Sequence, residues 1–400
     1  MPHSDAGSHV AVRGSVTATE RQLAPDLARG SMLLLIALAY APTYLVGLEP
    51  GAYINPAGGG PLDQVVNFAK LVLLDSRAYP MFAALFGYGM AMLIARQLQA
   101  GTPEPDVRRL LRRRALFLLL FGFVHGALVY PGEILGPYGV ASLLLGWLLF
   151  RREGALLRAA AILAPLFVVT TTLMAVGMSA PVEQGEFDVL AIPDSYAMAV
   201  LYNATGYPFA MMMTLLGFPM LVALLLGAWA GRRKVLENPE RHRTTLARTA
   251  WVGITISVLA GLPVALVDAQ IWQPGWPASG LLLAAQILTG VLGGLGYAAL
   301  FGLLSIRLSR APGPVTRALA AMGKRSLTFY LLHSALLAVL LSPALFGLGA
   351  HLHSFGAALV AVGVWLMGLA TAVALERARV RGPADALLRR LVYRRSHSQS

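Results

Sequence analysis

Apolar runs of about twenty residues alternate along the chain with short segments that hold nearly all of its charge. A hydrocarbon core about 30 Å thick takes roughly 20 helical residues at about 1.5 Å each. Ten runs meet that length: 31–48, 78–95, 115–131, 134–150, 156–178, 208–230, 250–271, 279–305, 327–346 and 355–375. They are continuously apolar rather than alternating, which predicts helices, each satisfying its own backbone in lipid. Residues 64–74, QVVNFAKLVLL, are amphipathic and are expected along the membrane interface. The predicted fold is all-α: a polytopic transmembrane helix bundle of about ten spans, with the lipid bilayer as its first partner.

Composition removes the soluble alternatives. Hydrophobic residues make up 57% of the 400 and charged residues 13%, too few to cover a soluble surface of this size. The net charge of +13 sits in short runs between apolar blocks, which points to a membrane and away from nucleic acid. Thirty of the 32 basic residues fall in 1–30, 96–114, 151–158, 231–248, 306–325 and 376–400, leaving Lys70 and Arg77 on the other side. The positive-inside rule then places both termini on the cytoplasmic side of the membrane. It places outside the 179–207 loop, which carries Glu183, Glu186, Asp188 and Asp194 and no basic residue. The absence of cysteine excludes disulfides, thiolate nucleophiles and Cys-ligated metals.

The expected organisation is a disordered N-terminus (1–24), one helical domain (25–393) divided by the acidic loop into 25–178 and 208–393, and a polar tail (394–400). Leu33–Leu38 followed by Ala39-Tyr40-Ala41 has the outline of a signal peptide. The long polar stretch before it and the apolar continuation to Leu48 predict a retained anchor.

Polar groups inside membrane helices carry the chemical information, since each costs energy without a partner. His125, in FGFVHGALVYPGE, falls near the midplane of the third run, with Gly122 and Gly126 beside it at helix-packing spacing. A neutral imidazole there suits a general base, a relay or a substrate donor, or a packed histidine bonded to a neighbouring helix. Glu133, between Pro131 and Pro137, stands at the outer boundary, about 12 Å of helical rise from His125. Direct contact between the two requires the chain to fold back at Pro131. Asp26 and Arg29, in PDLARG, fit a helix start with a basic anchor, or a cytoplasmic contact for a phosphate-bearing ligand. Ser326, Tyr330 and His333 form one polar stripe on the ninth run. His351 and His353 lack a nearby carboxylate and predict no metal site. Gly87, Gly89, Gly290 and Gly294 are read as helix-packing positions. No phosphate-binding loop, nucleophile elbow or zinc-protease motif is present.

Several blocks together resemble the YeiB-like family of bacterial multi-pass membrane proteins, the domain-of-unknown-function group numbered 418. They are PDLARG, AYINPA (52–57), MFAALFGYG, GFVHGALVYPGEILGPYG, GKRSLTFYLLH and GPADALLRRLVY, in that order between about residues 21 and 395. Glu133 stands where aspartate is common in that family. Phe329 and His333 replace frequent Asn and Gln, and Ala384, Asp385 and Ala386 depart from the usual Glu and Trp after Gly-Pro. Members are mostly of unknown function, with transport suggested for some. The Asp-x-x-Arg-Gly block is also similar to membrane acyltransferases that modify envelope sugars and depend on a membrane histidine. The first run here has none, so that analogy assigns the role to His125. The resemblance implies no permanently bound cofactor, an acyl thioester as co-substrate and a cell-envelope sugar or lipid as acceptor. Glu133 would orient the acceptor, and Asp26, Arg29, Ser326, Tyr330 and His333 would line the substrate and donor sites. The alternative is a secondary transporter or exporter of an envelope-related molecule.

Overall fold

The computed structural model describes residues 22–45, 55–56, 58–130, 132–181 and 195–393. Of the disordered N-terminus expected at 1–24, residues 1–21 lie outside the described residues, as do 394–400, the acidic residues of the 179–207 loop, Pro131 and most of the AYINPA block, while Leu23 and Ala24 open the first helix.

Fourteen α-helices follow one another among the described residues. They are α1 (Leu23–Tyr40), α2 (Pro61–Leu73), α3 (Ala78–Gln99), α4 (Glu104–Leu128), α5 (Leu135–Leu145), α6 (Glu153–Ser179) and α7 (Tyr196–Gly217). The second half holds α8 (Met220–Arg232), α9 (Arg243–Asp268), α10 (Trp276–Leu308), α11 (Pro314–Gly323), α12 (Ser326–Leu341), α13 (Ser354–Arg377) and α14 (Pro383–Val392). Six spans qualify by length and apolarity, or eight when the bent pairs α7–α8 (63°) and α11–α12 (88°) each count as one.

Two of the ten expected runs therefore do not qualify. The first half of α4 carries Arg108, Arg109, Arg112, Arg113 and Arg114, and α5 has only 11 residues before it tightens into a 3₁₀ turn at Gly146–Phe150. The expected external loop also shrinks, because α7 begins at Tyr196 and absorbs 196–207. The amphipathic run at 64–74 forms α2, which packs on α9 through Leu71 and Val72 and leaves Leu62 and Val65 exposed.

Large apolar side chains stand outward on the long helices, among them Trp251 (76% exposed), Ile162 (72%) and Leu173 (69%). In water that pattern would be costly, whereas a bilayer solvates it. Inside, glycines let backbones touch. A Cβ on Gly87 would collide with the Leu224 carbonyl of α8, and one on Gly227 with the Ala84 carbonyl of α3. Gly290 and Gly294 do the same between α10 and the start of α3.

The basic segments collect at one end of the bundle. Arg96 pairs with Glu237 at 3.2 Å, Arg310 with Glu240 at 3.5 Å, Lys324 with Glu376 at 2.6 Å, and Arg233 with Glu153. Lys70 lies away from these runs and pairs with Asp75 at 3.1 Å. Arg77 is fully buried between the α2–α3 turn, α9 and α10, where Gly261 and Gly293 leave room for it. It donates to the carbonyls of Leu71 (2.9 Å), Asp75 and Ser257. That guanidinium is a structural knot, tying the α2–α3 turn to the middle of α9 through backbone carbonyls.

Candidate functional site

The Asp-x-x-Arg-Gly block and the GKRS block lie almost 300 residues apart, and a pair of glycines brings them together. A Cβ on Gly323 would collide with the Asp26 carbonyl, and one on Gly30 with the Leu319 carbonyl, so α1 and α11 meet backbone to backbone. The 88° bend after Gly323 then turns α12 away and opens a cavity of about 570 Å³ at the arginine-rich end. Helices α1, α3, α4, α5, α12, α13 and α14 wall it.

Its mouth is charged. Seven basic side chains (Arg29, Arg96, Arg114, Lys324, Arg325, Arg381 and Arg389) face four acidic ones (Asp26, Glu237, Glu376 and Asp385). The carboxylates are all engaged. Asp26 lies 3.8 Å from Arg29, Glu237 holds Arg96, and Glu376 accepts from Lys324 and, at 2.7 Å, from Arg325. Asp385 accepts from the Thr328 amide (3.0 Å) and hydroxyl (2.7 Å), so the closing GPADA motif latches onto the first turn of α12. The amides of Ala384 and Asp385 donate back to the Thr328 hydroxyl.

Arg325 is occupied as well: it donates to the carbonyls of Ala321, Leu375 and Val380 and so finishes the C-terminal end of α13. Arg29 donates to the Leu85 carbonyl at 3.4 Å and lies over Gly89, whose missing side chain leaves it room. Gly89, expected as a helix-packing position, thus serves the cavity instead. Burial, then the like charge of Arg381, hold Arg389 below the usual guanidinium range, with Tyr393 acting in the opposite direction.

The floor is aromatic. Tyr138 is stacked between Phe82 (ring centroids 5.1 Å apart) and Phe86 (4.9 Å), and the Arg114 guanidinium lies over Phe86 at 5.6 Å. Tyr330 completes the floor. Its hydroxyl accepts from the Ile134 amide at 3.3 Å and meets the Tyr40 hydroxyl at 3.2 Å.

Of the residues singled out in the sequence, Asp26, Arg29, Ser326 and Tyr330 line this cavity, while His125, Glu133 and His333 do not. His125 stands one ring behind the floor, 5.4 Å from Tyr330 between centroids, buried, with neither nitrogen hydrogen-bonded among the described residues. His333 is buried against Gly368 of α13, also without a hydrogen bond. The chain does fold back after α4, and Glu133 comes to lie over the glycine face of Gly122 and Gly126. There it accepts from the amides of Leu135 and Gly136 (2.9 Å) and from the Tyr207 hydroxyl (2.5 Å). These bonds finish the N-terminus of α5 and tie it to α7.

Residues 230–395 match the family described as "Protein of unknown function (DUF418)". The match is confined to the C-terminal part of the chain. The whole chain is 28% identical to "Uncharacterized protein YeiB" of Escherichia coli (strain K12), over 94% of this chain and 97% of that one. It is 29% identical to "Uncharacterized protein YxaH" of Bacillus subtilis (strain 168), over 50% of this chain and 53% of that one. No solved structure matches it. The DUF418 region supplies α9 to α14, and hence the GKRS bend and the latch, while α1, α3, α4 and α5 supply the rest of the cavity.

Arg114, Arg381, Arg389 and Thr328 carried no signal in the sequence, and Asp385 was given no role there. The run Arg112–Arg114 reads as a membrane anchor, and only the helical phase set by α4 turns its third member into the cavity. Asp385 stood out as a departure from the family pattern, which was the one available signal.

Proposed function

We propose that this multi-pass membrane protein transfers an acyl group from a thioester donor to a cell-envelope acceptor. The observation that carries the reading is a cavity with a cationic mouth and an aromatic floor, ending one ring short of a buried, unpartnered imidazole. In this reading the arginine-rich end faces the cytoplasm, as does each terminus, and the donor enters there. The α4–α5 hairpin adds two crossings or none, so ten spans and eight give the same orientation for every other helix.

The reaction balances without an added cofactor. The acceptor oxygen attacks the thioester carbonyl, a C–O bond forms and the C–S bond breaks. His125 takes the hydroxyl proton and returns it to the departing thiolate. Buried unsatisfied nitrogens cost about 1–3 kcal/mol, which an acceptor hydroxyl on His125 would recover. Glu133 acts by holding the α4–α5 turn that frames the floor.

In lipid nanodiscs, the purified chain is expected to move a labelled acyl group from thioester to acceptor, and His125→Ala to lower the rate about 100-fold or more. Neither transfer nor thioester hydrolysis, with envelope acylation unchanged in His125→Ala cells, would sink the reading. The broken pair α11–α12 supports a second one, a secondary transporter or exporter of an envelope-related molecule, because an interrupted helix lining a cavity suits alternating access. Substrate flux into proteoliposomes without acylation would select it.

A further inference from the structure

We infer that Arg114 of α4 and Arg389 of α14, together with Arg29, form a phosphate-binding clamp across the mouth of the cavity, and that its ligand is amphiphilic: a phosphate ester or diphosphate carrying an apolar tail. This deepens the donor half of the proposed reaction and rests on that reading only for calling the ligand a donor.

Charge left over at the mouth supports the clamp. Seven basic against four acidic side chains leave a surplus of three, and every carboxylate already has a partner. Among the described residues, neither Arg114 nor Arg389 forms an ion pair, and the Arg114 Nε is buried without a hydrogen-bond partner. Arg114 also lies close enough to Arg29 for the two like charges to oppose each other, with Tyr393 and Asp385 acting in the opposite direction. Like charges gathered in a walled cavity raise its potential, and a bound anion relieves the repulsion. Guanidinium groups converging from separate helices match the several oxygens of a phosphate, each able to accept a charge-assisted bond.

The apolar end follows from the floor. Phe82, Tyr138 and Phe86 form a stacked aromatic block directly below Arg114, with Leu118 and Leu135 beside it. Such a surface is wasted on inorganic phosphate and suits a chain or thioester arm hanging from the anionic head. Two sources share that chemistry, a soluble phosphate-bearing thioester carrier and an anionic lipid of the adjoining leaflet.

The test uses the full chain in phosphatidylcholine nanodiscs and two probes: coenzyme A added to the solution, and phosphatidic acid built into the disc. Saturable binding of at least one probe is expected, weakened about tenfold by Arg389→Gln and by Arg114→Gln, the loss of one charge-assisted contact each. Binding of coenzyme A assigns the soluble source, and binding of phosphatidic acid alone assigns the lipid. Arg389 sits on the peripheral helix, so Arg389→Gln carries the test if Arg114→Gln fails to fold. No saturable binding of either probe, or affinities unchanged in the folded Gln variants, overturns the clamp. Binding without acyl transfer would overturn the transfer reading alone, whereas transfer with the same KM in both Gln variants would overturn the clamp alone.

Discussion

Glu133 illustrates how a residue can look catalytic in a sequence and be committed to structure. Its two oxygens accept from the Leu135 and Gly136 amides and the Tyr207 hydroxyl, three donors with little else nearby to take them. Removing the acceptor leaves buried amides unpaired at about 1–3 kcal/mol each. Glu133→Ala is therefore expected to lower thermal stability in detergent by several degrees, and Glu133→Gln, which keeps one carbonyl acceptor, by clearly less. Equal losses would show that the carboxylate does not hold the turn. Gly323 offers a second test: a methyl there must part α1 from α11, so Gly323→Ala should cost about 1–3 kcal/mol, read as a fall in melting temperature. The sequence made Asp26, Arg29, Ser326 and Tyr330 visible because charge and polarity in apolar runs are conspicuous. Arg114 stayed hidden inside a block of like residues, and only three-dimensional phase separates it from Arg113.

At the level of elements, α14 is held by few bonds and should respond to their loss. Asp385 and Thr328 exchange side-chain and backbone hydrogen bonds that dock the start of this ten-residue helix on α12. Asp385→Ala should raise hydrogen–deuterium exchange across 383–392 about tenfold, in keeping with loss of one or two such bonds, and leave α9 and α10 unchanged. Exchange as slow as in the unaltered chain would mean that apolar packing alone docks the helix. Helix type was legible throughout, since twenty-residue apolar runs have one solution in lipid. Lengths were less so. Hydropathy averages over a window, and it cannot see that α7 and α8 part at 63° or that five arginines reserve the first half of α4 for the headgroups.

Across the whole molecule, basic and apolar residues are sorted along one axis. Thirty cationic residues in six segments predicted a common side, and the described ion pairs gather these segments at one end, next to the cavity mouth. A reporter active only outside the cytoplasm should be silent when fused after residue 239 and active after residue 273. The reverse pattern would turn the cavity to face outward and end the donor reading. The site was less legible than the fold because its parts come from seven separate stretches, joined by a glycine contact that has no signature of its own. The Gly30–Gly323 contact also bears on where the family's recognisable segment ends. Residues 230–395 expressed alone would leave Gly323 facing solvent or lipid where Asp26 belongs, and would lack Arg29, Arg114 and the Tyr138 stack. The most recognisable stretch of this chain is half of a vessel, and its contents depend on the half that is harder to recognise.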